Sequence, residues 1–222
     1  MKAIRCAPPH RERCHHLAID PYAVTTREEL RDVYRDPAPR AVRKERDRLD
    51  GHCRDFIARS PFVLLASANA RGECDVSPKG GPAGFVRVID DGRLVIADAT
   101  GNRRLDSLEN ILENPRVGLL FLIPGLGETL RVNGRAALTR DPALLAGLAT
   151  GGRPPALALL VTVEQAYLHC AKCILRSRLW DPGSWEAEDE HPSAAEILND
   201  HMGLEGVAAS AAALADSYTN HI

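Results

Sequence analysis

The chain has 222 residues, with 28 lysines and arginines against 30 aspartates and glutamates, and its formal net charge is −2. This length allows one substantial hydrophobic core, and the balanced charge argues against a nucleic-acid partner. No uncharged apolar run approaches the roughly 20 residues that cross a bilayer, and the first residues lack the apolar stretch of a secretory signal. We therefore expect a soluble, cytoplasmic protein with no membrane partner.

Two helices are predicted in the first sixty residues. Thr26 and Glu29 have the spacing of a capping box at a helix start. Apolar positions recur at helical spacing over residues 42–57, and Pro37 and Pro39 separate this second helix from the first. We interpret residues 1–60 as an N-terminal helical extension.

From residue 61 the pattern changes to short apolar or alternating runs divided by turns, of which Asp90-Asp-Gly92 is the strongest hairpin signal. The predicted strands cover residues 62–67, 74–79, 84–89, 93–98, 117–123, 128–139 and 157–168. Helical spacing over residues 105–112 and 141–148 places two helices between them. Hairpin-linked strands with inserted helices favour an antiparallel barrel over a doubly wound sheet, within residues 61–180. Residues 181–222 form a predicted helical tail, with helices at 193–201 and 204–217.

Two arginines, Arg103 and Arg104, follow Gly101 and Asn102 directly before the helix that begins near Leu105. The first backbone N–H groups of a helix have no partner within it, and its dipole makes this end positive. Cations at a positive helix end are best explained by an anion bound between them, so we predict a phosphate site. The alternative is solvated surface charge.

Two strands present a hydroxyl and a cation on one face. Ser77 and Lys79 have the two-residue spacing that places side chains on the same side of a strand, and Thr129 and Arg131 repeat it. Lys79 is alternatively a charged residue that protects an edge strand from aggregation. Arg131 is alternatively an ordinary surface position.

A third basic group follows the last strand. Lys172, Arg176 and Trp180 stand at i, i+4 and i+8, which predicts one helix face suited to a planar anionic ligand. A structural helix whose long side chains lie along its surface is the alternative. No motif of a serine hydrolase, P-loop or dinucleotide-binding fold is present, so no catalytic residue is assigned.

Cysteine spacing offers little chemistry. The six cysteines are Cys6, Cys14, Cys53, Cys74, Cys170 and Cys173. The last two have the CxxC spacing found in redox and zinc sites, but no second such pair and no histidine pair at ligand spacing accompanies them. We predict reduced thiols and no metal site.

Several motifs, in this order, resemble those of the pyridoxamine 5′-phosphate oxidase-like FMN-binding split barrels, and in particular their predicted flavin-nucleotide-binding subgroup. They are Asp75-Val-Ser-Pro-Lys-Gly80, Gly101-Asn-Arg-Arg-Leu-Asp106, Thr129-Leu-Arg-Val-Asn-Gly134, His169-Cys-Ala-Lys172 and Arg176-Ser-Arg-Leu-Trp180. The resemblance covers roughly residues 61–180. It implies a mainly β fold with flanking helices, a six-stranded antiparallel split β-barrel, and a homodimer with FMN at its interface.

The resemblance also implies roles for individual positions. Residues 74–79 match the flavin-contacting strand, Ala97 and Asp98 the strand end that touches FMN, and Arg103 and Arg104 the phosphate-binding pair. Thr129 stands where the oxidases have a flavin-contacting glutamine. Cys74 replaces a basic residue, and the oxidases' C-terminal substrate motif is not recognisable, so the resemblance does not extend to vitamin B6 as substrate.

These observations lead to one principal hypothesis, an FMN-dependent oxidoreductase that acts on a small molecule, with NADH, NADPH or oxygen as the second reactant. The predicted cofactor contacts are Ser77, Lys79, Ala97, Asp98, Asn102, Arg103, Arg104, Thr129, Arg131, Lys172, Arg176 and Trp180. The alternative is a non-catalytic flavin carrier or sensor. Deazaflavin F420 is an alternative cofactor, as is haem with a histidine such as His169 as axial ligand.

Overall fold

A computed structural model describes residues 20–99, 103–149 and 153–203. The described residues fall into two compact units, divided between Arg43 and Lys44. The first unit contains helices α1 (Arg27–Tyr34) and α2 (Pro39–Arg43). The backbone N–H of Glu29 donates to the Thr26 hydroxyl (3.2 Å), and the Glu29 carboxylate accepts from the Thr26 backbone N–H (3.0 Å). The predicted capping box is confirmed.

The second predicted helix, over residues 42–57, is wrong. Helix α3 begins only at Gly51 and runs to Arg59, because the Asp50 carboxylate caps it by accepting from the backbone N–H of Cys53 (2.9 Å). Residues 44–50, before this cap, are not helical, and Arg46 exchanges two backbone hydrogen bonds with Ala166. The sequence pattern joined two apolar segments that this non-helical stretch separates.

Seven antiparallel strands form one sheet in the order β2-β1-β5-β6-β7-β4-β3. They are β1 (Phe62–Ala68), β2 (Cys74–Gly80), β3 (Val86–Asp90), β4 (Arg93–Ala97), β5 (Arg116–Leu122), β6 (Thr129–Thr139) and β7 (Ala158–His169). The fold is mainly β with flanking helices, consistent with a split barrel. All seven predicted strand segments are present, so the expected count of six is corrected. The sheet is not closed, and β2 and β3 are its edges.

Among the described residues, four further α-helices belong to this unit. They are α4 (Asp106–Glu113), α5 (Pro142–Gly147), α6 (Lys172–Ser177) and α7 (Ala194–Met202). The predicted helices at 105–112, 141–148 and 193–201 match α4, α5 and α7, whereas the one predicted at 204–217 lies outside the described residues. Within the described residues, no helix has the length and apolar character needed to cross a membrane. The division into extension, barrel and tail stays a prediction.

The main hydrophobic core lies on one side of the sheet, which we call the core face. Val63 and Leu65 of β1 are fully buried there, opposite Phe121 and Leu119 of β5. Ile57 of α3 belongs to the same core. Burial of each such side chain contributes roughly 1.5–3 kcal/mol to the free energy of folding. The buried side chains therefore determine which side of each strand faces the core.

The opposite side of the sheet, which we call the outer face, carries the alternate residues. Leu64 of β1 pairs with Leu120 of β5, and Leu120 pairs with Arg131 of β6. Arg131 in turn pairs with Tyr167 of β7. Directly paired residues project to the same side of a sheet, so these four share the outer face.

Candidate functional site

Edge strand β2 presents polar side chains on the core face. Ser77 lies opposite Leu65, and Lys79 lies opposite Val63. Both are half-buried, whereas Val76, which directly precedes Ser77, points to the outer face with 59% of its surface exposed. The prediction that Ser77 and Lys79 share a face is confirmed. The other residues of this face are hydrophobic. Polar side chains among them can form a partly enclosed site.

The position of Lys79 bears on the alternative that this lysine only protects an edge strand from aggregation. Strand β2 is indeed an edge, and an edge tolerates Pro78, which has no N–H to donate. A protective lysine needs to project into solvent, whereas Lys79 is half-buried. It forms no ion pair with any described residue. The arrangement favours an anionic or polar ligand near its ammonium group.

The two arginines before α4 differ in environment. Arg103 has a φ of 61°, a left-handed conformation that non-glycine residues rarely adopt, and its side chain is exposed. Arg104 donates from Nε to the carboxylate of Asp106 at 2.5 Å. Among described residues Arg103 has no carboxylate partner. It is therefore the arginine that is better placed to bind a phosphate. Asn102 lies outside the described residues.

Two side-chain hydrogen bonds hold the start of α4 against the sheet. The Ser107 hydroxyl donates to the Asp75 carboxylate of β2 (2.5 Å), and Asn110 donates to the Ser67 hydroxyl of β1 (3.1 Å). Arg104 lines a pocket of about 370 Å³ together with this end of β2. The arginine segment and β2 are therefore neighbours. The sequence reasoning missed these positioning residues, although the polar Ser67 in an apolar strand was a signal.

Strands β6 and β7 place a second polar group on the outer face. Thr129 lies opposite His169 and Arg131 opposite Tyr167, as the predicted alternation requires. The Arg131 guanidinium donates to the Tyr167 hydroxyl at 3.0 Å. Leu130 and Val132, between these residues, are 2% and 0% exposed, so they fill the core as predicted.

The two polar groups lie on opposite faces of the sheet. Lys79 shares the core face with Val63, whereas Arg131 shares the outer face with Leu120. A pocket on one face of the sheet therefore contains Lys79 or Arg131, but not both. The spacing within each strand was predictable, but which face each strand turns inward was not.

Ala97 and Asp98, the predicted flavin contacts at the end of β4, lie apart from both groups. Ala97 is half-buried beside a small second cluster that includes Val95 and Ala158. The backbone N–H of Asp98 donates to the carbonyl oxygen of Leu157 (3.0 Å). No hydrogen bond between described residues joins them to β2, so their role as flavin contacts stays a prediction.

The predicted helix face of Lys172, Arg176 and Trp180 is wrong. Helix α6 ends at Ser177, because Arg178 is left-handed (φ 53°) and its backbone N–H bonds back to the last turn. Trp180 lies beyond the helix, and its indole N–H donates to the carbonyl oxygen of Leu126 (2.8 Å). Lys172 and Arg176 are exposed on α6. Their roles as ligand contacts stay predictions.

Within the described ranges, the cysteines and the acidic side chains form no additional candidate site. Among the described residues Cys53, Cys74, Cys170 and Cys173 are free thiols, and Cys53 is buried. No three histidine, cysteine or carboxylate side chains in the described ranges are placed to share a metal ion. Cys6 and Cys14 lie outside the described residues.

His169 is held in a positive environment on β7. Its Nδ1 atom is buried and has no hydrogen-bond partner. Burial lowers the pKa of the imidazole below its ordinary value of 6.5, and the nearby charges of Arg131 and Lys44 lower it further. The neutral imidazole is thus favoured. Lys44 was missed by the sequence reasoning because it lies in no predicted strand.

This lowered pKa predicts a pH effect on stability. The folded state binds the proton of His169 less readily than the unfolded state, so its contribution is present above pH 6.5 and is lost as the pH falls through the folded pKa. His169→Gln is expected to make the free energy of unfolding fall less between pH 7 and 5, as measured by urea denaturation. The control is His52→Gln, an exposed position. Equal pH slopes in both variants would contradict the prediction.

Several proteins of known structure are similar to a little over half of this chain. Solved structures similar to this chain include HupZ of Group A Streptococcus, with 19% identity over 54% of this chain and 93% of that one and a TM-score of 0.44. An FMN-binding protein from Syntrophomonas wolfei has 12% identity, covering 64% and 95%, with a TM-score of 0.40. An FAD-binding protein from Mesorhizobium loti has 18% identity, covering 56% and 98%, with a TM-score of 0.38. Another similar structure is named an F420 reductase.

Membership of a family is shown by the match to a family model. No curated protein matches the chain. The family model described as pyridoxamine 5′-phosphate oxidase matches residues 49–170, which is more than half of the 222 residues and spans α3 through β7. The chain therefore belongs to the pyridoxamine 5′-phosphate oxidase family.

Proposed function

We propose that the protein is an FMN-dependent oxidoreductase acting on a small organic molecule. The observation that carries this proposal is that Ser77 and Lys79 share the core face of β2, whose first residues line a pocket together with Arg104 of the arginine segment before α4. Family membership and the flavin-binding names of two similar structures support it. When bound, FMN supplies the hydride chemistry, and the protein supplies binding, orientation and electrostatics.

The residues present fit the phosphate of FMN. The exposed guanidinium of Arg103 has no carboxylate partner in the described residues, and a guanidinium can bind two phosphate oxygens at once. Arg104 already donates to Asp106. We assign the principal phosphate contact to Arg103 and a secondary, long-range attraction to Arg104.

The residues of β2 fit the polar edge of a flavin ring. Lys79 brings a positive charge and Ser77 a hydroxyl to one half-buried face. A positive charge beside the ring favours the form of the flavin that carries additional negative charge. Lys79 would thus orient the ring and raise its tendency to accept electrons.

We further propose a homodimer with one flavin at each interface site. Thr129 and Arg131 lie on the outer face, away from Lys79 of the same protomer. Both groups can contact one flavin only if the outer face of one protomer meets the edge of another. Exposed apolar residues on the outer face, including Phe62 and Val76, are compatible with such a contact.

The test begins with the visible absorption spectrum of the purified protein before and after incubation with FMN, FAD or F420. We expect uptake of FMN, bleaching of the flavin band on addition of NADH or NADPH, and a dimeric mass by sedimentation. Protein that takes up no flavin would contradict the proposal. Bound FMN that resists every reductant would instead support the carrier or sensor hypothesis.

A further inference from the structure

Two cations on the outer face lie against one tyrosine ring. Lys44 Nζ is 5.2 Å from the ring centroid of Tyr167, and the central carbon of the Arg131 guanidinium is 5.6 Å from it. Lys44 also donates to the carbonyl oxygen of Leu168 at 2.8 Å, which fixes its position. We call Lys44, Arg131 and Tyr167 the tyrosine cluster.

No carboxylate in the described part of the chain pairs with either cation. Neither Lys44 nor Arg131 forms an ion pair with a described residue. Glu45, next to Lys44 in sequence, instead accepts from Gln165 (2.8 Å), whose amide oxygen accepts from Asn133 (2.7 Å). The Glu45 carboxylate thus belongs to a neighbouring hydrogen-bond network and pairs with neither Lys44 nor Arg131.

The ring alone does not offset two positive charges. A cation over an exposed aromatic ring gains about 0.5–1 kcal/mol, whereas a pair of like charges in a partly buried setting repel each other. Burial lowers the pKa of His169, which ends the same strand as Tyr167, and the charges of Arg131 and Lys44 lower it further. The positive potential therefore extends over the neighbouring surface, and a bound anion would relieve it.

We propose that the tyrosine cluster binds the anionic group of a small ligand, a phosphate monoester or a carboxylate. Arg131 offers its guanidinium and Lys44 its ammonium, while the Tyr167 ring and hydroxyl hold both side chains in place. Within one protomer this site lies on the opposite face from Lys79. The anion comes either from the substrate or from a flavin phosphate.

Inorganic phosphate is the probe for this site, and NMR of the histidine side chains in the full chain is the readout. His169→Gln identifies the His169 resonance. Phosphate is expected to shift this resonance saturably and to raise the pKa of His169, because the anion offsets the nearby charges. Arg131→Gln and Lys44→Gln are each expected to weaken phosphate binding about tenfold.

Arg135→Gln is the matched control, since Arg135 is an exposed arginine on the same strand and the same face. It should leave phosphate binding unchanged. A phosphate response that is absent, or that weakens equally in Arg135→Gln, overturns the proposal. Circular dichroism of each variant excludes unfolding as the cause.

A second arm distinguishes the two sources of the anion. If FMN displaces phosphate from the cluster, the site holds the cofactor's own phosphate, and the assignment of that phosphate to Arg103 is overturned. If both bind independently, it holds the anionic group of the substrate. Both results support the anion site, and FMN uptake measured by absorbance tests the proposed function separately.

Discussion

Gly134→Ala is expected to lower the free energy of unfolding by about 1–3 kcal/mol, or more if the strand cannot shift. A Cβ atom at this position would clash with the backbone carbonyl of Thr162 and lie 3.2 Å from Cα of Val163. Both neighbours are backbone atoms of β7 and cannot rotate away. Urea denaturation of the variant and the wild type measures the difference.

The same substitution is expected to disturb the tyrosine cluster. Asn133 pairs with Gln165 but Gly134 pairs with Val163, so Glu164 is an extra residue in a β-bulge. Bulges aim neighbouring side chains, and this one lies two and three residues from Arg131 and Tyr167 along their strands. We therefore expect Gly134→Ala to weaken phosphate binding as well as to lower the free energy of unfolding.

Gly147→Ala is the control for this prediction. Gly147 is the last residue of α5, and an added Cβ would meet no atom within 4 Å. We expect no loss, or a gain of about 0.4–1 kcal/mol from the reduced entropy of the unfolded chain. Equal destabilisation by both substitutions would show that the backbone contact at Gly134 is not the cause.

Features set by local chemistry were predictable from sequence. The capping box at Thr26 and Glu29 forms because its two hydrogen bonds join residues three apart. Ser77 and Lys79 share one face of their strand, and Thr129 and Arg131 share one face of theirs, because side chains alternate with a two-residue period. Each of these features depends on neighbours in sequence, which the pattern contains.

Features set by distant contacts were not predictable. Lys79 and Arg131 occupy opposite faces only because of how β2, β1, β5 and β6 pair. Lys44 reaches Tyr167 because the segment before α3 crosses back to β7, a pairing separated by 120 residues at Arg46 and Ala166. Helical spacing at Trp180 suggested a helix face, but the left-handed Arg178 ends α6 earlier.

Arg103→Asn is expected to weaken FMN binding about 10- to 100-fold, which is the loss of one charge-assisted contact of roughly 1.5–3 kcal/mol. Asparagine is chosen because it tolerates the left-handed backbone found at Arg103 (φ 61°), so the guanidinium is removed without strain. Arg104→Gln should have a smaller effect, since Arg104 is paired with Asp106. Flavin absorbance or fluorescence titration measures each affinity.

Riboflavin, which has the ring of FMN but no phosphate, separates the phosphate contact from the rest of the site. If Arg103 binds the phosphate, Arg103→Asn lowers the affinity for FMN and leaves that for riboflavin unchanged. Arg71→Gln, an exposed arginine paired with Glu73 in the turn between β1 and β2, should change neither affinity. An equal loss of affinity for FMN and riboflavin in Arg103→Asn would show that Arg103 contacts the ring or stabilises the fold. The assignment of Arg103 to the phosphate would then be wrong.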